Sequence, residues 1–424
     1  MTTLDMFATQ DVPRALPKGW RWVRLGELIS ETRNGLYKPD HFYGSGVPIL
    51  KMFNIGRSNG RWNLERVDRI ELTDIEHEAY RFEIGDIMVN RVNSRELVGK
   101  CAVVDDTVAG MVFESKNMRV RLDTAIAYPD YVASWLNSSQ GREQIEGKLK
   151  QIVGQATVNR SDLDSIEIPL APLAEQRRIA AILAEQLAAV ERASAAAAER
   201  LEAARALPAA YLRAVFESEE ARGWPTMPLG EAGSIGAGIT LGRSFNGIPT
   251  RRVAYLRVAN VKDGYLDLSD VYEIDVPESD IDKCRLKYGD LLLTEGGDPD
   301  KLGRGTFWEG QIAECIHQNH IFRVRFDLER YSPPFLAAQL GSSYGKAYFL
   351  SYAKQTTGIA TINQRVLGGF PLMVPPLPTQ ERVVRVLSEQ MAAADRARAA
   401  LQAQLDAIDK LPAALLRRAF SGEV

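Results

Sequence analysis

Residues 174–206 read AEQRRIAAILAEQLAAVERASAAAAERLEAARA, a run of strong helix formers with no glycine or proline. Pro172 precedes it and Pro208 follows it, at positions suited to helix boundaries. A helix of roughly 32 residues is about 48 Å long. Apolar or small residues recur at Ala180, Leu183, Leu187, Val190, Ser194, Ala197, Leu201 and Ala204. Spacing that alternates between three and four marks a coiled-coil seam. Adding 204 to each number gives Val384, Leu387, Met391, Ala394, Arg398, Leu401, Leu405 and Ile408, the same seam with one arginine in it. The rods Ala174–Ala206 and Thr379–Leu411 are therefore expected to pair with each other.

The same offset governs the rest of the chain. Leu25-Gly26-Glu27 returns as Leu229-Gly230-Glu231, Gly85-Asp86 as Gly289-Asp290, and Arg119-Val120-Arg121 as Arg323-Val324-Arg325. Thr157 and Asn159 return as Thr361 and Asn363, Pro172-Leu173 and Gln176 as Pro376-Leu377 and Gln380, and Leu207-Pro208-Ala209-Ala210 as Leu411-Pro412-Ala413-Ala414. So long a period is not that of a solenoid. It means two copies of one folded module. Between the helical runs, short β-branched stretches such as Asp86-Ile87-Met88-Val89 and Asp290-Leu291-Leu292-Leu293 alternate with turn residues, which predicts strands. Helical patches at Tyr131–Leu136 and Phe335–Leu340 interrupt them.

The expected fold is α+β, with two similar, mostly-β domains separated by two long antiparallel coiled-coil helices and related by a pseudo-twofold. The boundaries read as an N-terminal arm at 1–21, a first domain at 22–172, a helical spacer at 173–216, a second domain at 217–376 and a helical spacer at 377–424. An antiparallel pair would act as a rigid ruler; the alternative is that each helix caps its own domain.

At 424 residues, 45% hydrophobic and 25% charged, the composition is that of an ordinary globular protein of two or three domains. No run suits a membrane span, and Met1 to Asp11 does not resemble a secretory signal. Three scattered cysteines (Cys101, Cys284, Cys315) fit a reduced, cytoplasmic setting, and no metal-ligand spacing is present. The net charge of −3 does not suggest bulk electrostatic binding of nucleic acid, though it leaves local basic strips possible.

Motifs for catalysis are scarce. There is no phosphate loop. Gly233-Ser234-Ile235-Gly236-Ala237-Gly238 reads as a flexible turn rather than a nucleotide loop. Ser332-Pro333-Pro334-Phe335 echoes a methyltransferase tetrapeptide but lacks its acidic or amide residue, and reads as a proline-started helix. Glu295, Asp298, Asp300 and Lys301 form a carboxylate–lysine cluster with no counterpart in the first copy. No catalytic residue is assigned.

What remains is a set of polar loops suited to reading base edges. In the first copy these are Lys51, Asn54, Arg57, Asn90, Arg91, Asn93, Ser94, Arg95, Lys116 and Asn117. In the second they are Arg257, Asn260, Lys262, Thr294, Glu295, Asp298, Lys301, Arg304, Gln318, Asn319 and His320. Arginine pairs bidentately with guanine and Asn or Gln with adenine. Lysine and the remaining arginines would hold phosphates. The landmarks are shared between copies while these loops differ, as expected of one scaffold reading two sequences.

These residues resemble the specificity subunits of type I restriction-modification enzymes. The resemblance rests on Trp22 to Glu27 with its weaker counterpart from Trp224, on Gly85-Asp86-Ile87 and Gly289-Asp290-Leu291, and on Thr157-Val158-Asn159 and Thr361-Ile362-Asn363. It extends to Pro172–Arg178 and Pro376–Arg382, and covers the chain from about Leu16 onward. It implies two target-recognition domains that each read one half of a split, asymmetric double-stranded DNA site. It also implies docking of two modification subunits, which methylate adenine N6, and of two restriction subunits. A methylation-only complex without restriction subunits is the alternative. S-adenosylmethionine, ATP and magnesium would then belong to the partner subunits, and this chain would be non-catalytic.

Overall fold

The computed structural model describes residues 16–423, apart from 57–59, 153–154, 241, 243–244, 246, 298–301 and 357–358; at 150–152, 355–356 and 359 only the backbone is described. The chain divides into two units. Unit 1 comprises Met1–Ala198 with Ala403–Val424, and unit 2 comprises Glu199–Gln402. Both long helices are shared between units, since they run Leu173–Phe216 and Leu377–Ile408, and a shorter helix follows at Leu411–Ser421.

Unit 1 is built around a four-stranded sheet in the order Ile29–Asn34, Asn117–Leu122, Ile87–Asn90, Cys101–Val103. A three-stranded sheet joins Asp68–Ile70, Tyr43–Leu50 and Val112–Phe113, and the last pair is parallel. A second three-stranded sheet joins Lys150–Ile152, Gln155–Thr157 and Val92–Asn93, and Arg21–Arg24 pairs with Glu167–Leu170. Ile87–Asn90 lies in the middle of its sheet and is buried along its whole length, which explains the apolar run Ile87-Met88-Val89.

Unit 2 repeats this topology strand for strand. Its four-stranded sheet runs Gly233–Ala237, Ile321–Phe326, Leu291–Thr294, Gly305–Phe307. Its three-stranded sheets join Tyr272–Val276, Arg251–Leu256 and Cys315–His317, again with the last pair parallel, and Lys354–Thr356, Ile359–Thr361 and Gly296–Gly297. Thr226–Pro228 pairs with Pro371–Met373. The helical patches fall at Pro129–Asn137 and Pro333–Gly341, each with proline in its first turn.

Each unit holds one half of the helix pair. In unit 1, Ala180 and Leu183 share a core with Leu416, Ala419 and Phe420, and Ser194 Oγ lies 3.5 Å from Asp409 Oδ1. As one strand of numbers rises the other falls, so the helices are antiparallel. In unit 2, Leu212, Val215 and Phe216 share a core with Val383, Leu387 and Met391, and Arg382 pairs with Glu220. The seam residues of the first helix, from Ala180 to Ala204, are all buried or half-buried.

Four expectations need correction. Pro208 does not end the first helix, which continues to Phe216, whereas the second copy breaks just before Pro412. Proline costs a helix one backbone hydrogen bond and crowds the carbonyl four residues back, which accounts for the break; nothing in the structure explains why the first copy runs through. Arg398 is not in the seam. It is exposed and pairs with Asp395 at 3.0 Å, while Ala397 is half-buried in its stead, because a guanidinium is far better solvated in water. Gly233–Ala237 is a strand rather than a turn, and its glycines serve close packing. A Cβ on Gly233 would meet the Phe326 ring at 2.8 Å. Finally, the counterpart of Trp224 is Trp20, not Trp22. Trp20 stacks edge-on to Tyr131 at 6.2 Å, and Trp224 lies 5.8 Å from Phe335 at the equivalent place.

Candidate nucleic-acid interface

The repeated motifs form the frame on which the variable loops sit. Gly85 and Gly289 adopt φ of 89° and 87°, a region that favours glycine, and turn the chain so that the next aspartate points inward. Asp86 is buried and accepts both Nε (2.7 Å) and Nη2 (3.0 Å) of Arg121, plus the Glu83 amide at 2.8 Å. Asp290 does the same with Arg325 (2.7 and 2.6 Å) and the Lys287 amide (2.8 Å). The Gly-Asp and Arg-Val-Arg motifs are thus one lock seen from two sides. In unit 1 the lock extends outward, where the Arg119 hydrogen bond (2.6 Å) holds the Glu31 carboxyl below its ordinary range.

Gln176 and Gln380 fasten each helix to its domain. Gln176 Oε1 accepts the Tyr128 amide at 2.8 Å, and its Nε2 donates to Ile126 (3.0 Å) and Ala171 (2.8 Å) carbonyls. Gln380 accepts from Ser332 at 2.9 Å and donates to Arg330 (3.1 Å) and Pro375 (2.8 Å). Both side chains are buried. Asn159 and Asn363 cap the short helices that follow the third sheet, accepting from Asp162 (3.1 Å) and Val366 (2.9 Å) amides. The residue type alone did not reveal any of these roles; the fixed offset was the available signal.

The candidate readout residues separate into two groups. Asn54, Asn90, Asn117, Asn260 and Thr294 are buried. Asn54 accepts the Lys51 amide at 2.8 Å and donates to Asn63 (2.8 Å) and Arg66 (2.7 Å) carbonyls. Asn260 makes the matching set with Arg257, Asp267 and Asp270. Asn90 donates to Asn117 Oδ1 at 3.0 Å and accepts from Asn93 at 2.7 Å. As placed, Asn54, Asn90 and Asn260 spend their amides within the scaffold, because a backbone carbonyl inside a turn satisfies an amide as well as an adenine edge does. Lys51 and Arg257 are also committed, to Asp68 and Asp270, both at 2.7 Å, and they lie over the rings of Tyr43 and Tyr272. Hydrogen bonds from Lys51 and then Arg66 hold the Asp68 carboxyl below its ordinary range.

The second group reaches the surface. In unit 1, Arg91, Asn93, Ser94 and Lys116 are half-buried and Arg95 is exposed. They meet where the strand Ile87–Asn90 leaves its sheet and continues into Val92–Asn93. In unit 2, Lys262, Glu295, Arg304, Gln318 and Asn319 are half-buried and His320 is exposed. Glu295, Arg304 and His320 are joined through backbone hydrogen bonds of Thr294 to Arg304 and of Glu295 to His320, both 3.0 Å. Gln318 spends its Oε1 on the Val258 amide at 3.1 Å. Arg57, Asp298 and Lys301 lie outside the described residues, as does Asp300 of the carboxylate–lysine cluster.

Among the described residues, no three His, Cys, Asp or Glu side chains converge to hold a metal ion. The three cysteines are buried, and burial pushes the Cys101 and Cys315 thiols up to about 12, far from nucleophilic thiolates. No helix among the described residues is long and apolar enough to cross a membrane.

The two units thus share one frame and carry different sets of surface polar groups on it. Comparison with known proteins shows what the chain is similar to. Residues 17–200 match the family model of the type I restriction modification DNA specificity domain. The chain is 24% identical over 433 residues to the type I restriction enzyme StySPI specificity subunit of Salmonella potsdam, an alignment covering 96% of this chain and 90% of that one. It is 22% identical to the EcoKI specificity subunit of Escherichia coli, with the same coverage of 96% and 90%. Its fold is that of the HsdS subunit from Thermoanaerobacter tengcongensis, at a TM-score of 0.64 and 20% identity over 98% of this chain and 100% of that chain. A chain from a type I restriction-modification structure concerned with complex assembly and conformational transition gives 0.72 at 21% identity, over 97% and 100%. Over nearly its whole length the chain is similar to specificity subunits of type I restriction enzymes, and residues 17–200 carry the match to the DNA specificity domain.

Proposed function

We propose that this subunit reads a split, asymmetric DNA target, one half-site per unit, within a cytoplasmic complex of two modification and two restriction subunits. One observation carries the reading: the Asp–Arg locks, the glutamine fasteners and the asparagine caps of the frame recur in both units, while the side chains on its exposed loops differ. A frame copied so closely needs different loops only if its two ligands differ. The long helices are the spacer, so their length sets the gap tolerated between half-sites and not the bases read. Their solvent-facing sides are the docking surface for the modification subunits. Those partners supply adenine N6 methylation from S-adenosylmethionine, and the restriction subunits supply ATP- and magnesium-dependent cleavage. With a net charge of −3, the isolated chain holds DNA weakly, and the partners complete the grip.

The test is an exchange of residues 30–155 for the same segment of a relative with another target. Single-molecule sequencing of host DNA then reads the methylated motif. One half of the motif is expected to change and the other to stay. An unchanged motif in a strain where the hybrid chain assembles and methylates would overturn the reading.

A further inference from the structure

Four residues occupy two equivalent stations with opposite chemistry. In unit 1 the Arg91 amide donates to the Lys116 carbonyl at 2.9 Å, and the Arg91 carbonyl accepts from Val158 at 3.0 Å. In unit 2 the Glu295 amide donates to the His320 carbonyl at 3.0 Å, and the Glu295 carbonyl accepts from Ile362 at 2.9 Å. Each of these residues stands 204 positions from its counterpart, so the backbone presents both pairs in the same way. The side chains are inverted. Arg91 and Lys116 carry donors only. Glu295 carries acceptors, and His320 Nδ1 donates to its Oε2 at 2.6 Å, with the two side chains 33% and 57% exposed.

A purely structural role does not explain the inversion. The fold is held at both stations by the same backbone bonds, which are indifferent to the side chain. An exposed His–Glu pair adds little to stability. Arg91 is also incompletely used: its Nη1 donates to the Ser115 carbonyl at 3.2 Å, while its Nε–H is buried without a partner among the described residues.

We infer that these stations are base-reading positions of opposite polarity. Arg91, with Lys116 beside it, takes the acceptor edge of guanine (O6 and N7); Glu295, oriented by His320, takes the N4 amino group of cytosine. The inference rests on the reading of this chain as a sequence-reading subunit and assigns one determinant within each half-site. Specificity at these two positions follows from charge alone on an otherwise common backbone.

The experiment uses the complete complex with its modification subunits and a DNA library randomised through both half-sites, with methylated adenines read at single-base resolution. Glu295→Arg is expected to shift one position of the second half-site from cytosine to guanine and leave the first half-site intact. Arg91→Glu is expected to do the converse. Glu295→Gln, nearly isosteric, is expected to cut discrimination at that single position by about tenfold to a hundredfold, at an unchanged melting temperature. If Glu295→Arg fails to fold, the Glu295→Gln result decides. Folded variants that keep the wild-type preference at every position would overturn the assignment while leaving sequence reading in place. A wild-type complex that methylates without sequence preference would remove both.

Discussion

Phe113 and His317 fill the same place in the two units, and only one of them can take up a proton. Each sits on the strand that lies parallel to its neighbour, Phe113 opposite Leu50 and His317 opposite Leu256, and both are fully buried. Phe113 stacks on Phe82 at 4.5 Å. Among the described residues His317 has no such stack. Its Nδ1 donates to the Ile321 carbonyl at 3.1 Å, and its Nε2 is buried without a partner among the described residues. Duplication preserved the frame while drift changed what fills it. The two units should therefore fail under different conditions, and a measurement that resolves them separately, such as hydrogen exchange read peptide by peptide, tests the comparison.

The largest effect concerns how each unit is closed. Phe420, from the end of the chain, packs edge-on to Tyr131 (5.2 Å) and Trp135 (5.0 Å) of unit 1. Phe216 packs against Phe335 (5.5 Å) and Trp224 (6.5 Å) of unit 2. Removing a buried phenylalanine side chain costs about 3–5 kcal/mol. Phe420→Ala should speed exchange throughout unit 1, although the residue lies more than two hundred positions further along the chain than Phe216, and spare unit 2. Phe216→Ala should do the reverse. Equal loosening of both units by either substitution would break the comparison.

Acid comes next. Burial pushes His317 from its ordinary value down to about 4. Between pH 6.5 and 4 the unfolded chain binds the proton that the folded chain refuses. Stability from this residue is therefore complete above pH 6.5 and falls as the pH drops toward 4, by roughly 3 kcal/mol in all. Unit 2 should open before unit 1 on acidification. His317→Phe, which copies unit 1, should bring the two acid transitions together. Persistence of the gap in that variant would mean that another group sets it.

Much of this frame was legible in the sequence and much of the interface was not, for a common reason. The offset of 204, the helical seam and the proline-started helices are patterns of spacing, and spacing survives without coordinates. The role of an asparagine is not a spacing. Asn54 and Asn93 look alike in the chain, yet Asn54 is buried in a turn that it holds closed and Asn93 stands half-exposed at the surface. Polar type announces the capacity for hydrogen bonds and says nothing of the partner. Trp20 was legible in principle, since it keeps the offset from Trp224 that Trp22 does not, but the nearer likeness to a known opening motif concealed it. Arg398 illustrates the opposite limit, because a heptad places a position in the seam and the cost of dehydrating a guanidinium moves it out.

The glutamine fasteners offer a finer test. Gln176→Ala leaves the Tyr128 amide and two carbonyls without their side-chain partner, and Gln380→Ala does so to Ser332 and its neighbours. Each loss should cost about 1–3 kcal/mol. Thermal melting of each variant, with local exchange at 126–128 and 330–332, should show the same penalty in both units. Unequal penalties would mean that the identical bonds are not under identical load.

The caps give the smallest effect and the sharpest contrast. Asn159 works reciprocally: it accepts the Asp162 amide, and the Asp162 carboxylate accepts the Asn159 amide at 2.9 Å. Asn363 caps Val366, whose side chain returns nothing. Asn159→Ala and Asn363→Ala should each cost about 1 kcal/mol. Asp162→Ala should add a few tenths of that in unit 1, whereas Val366→Ala should act in unit 2 only through lost packing against its core. Comparing the two third-position variants by urea unfolding, at constant dependence on denaturant, separates a lost hydrogen bond from a lost contact. Were Asp162→Ala silent, the reciprocal bond would be geometry without energetic weight, and the two copies would be equivalent at their caps as well as in their frames.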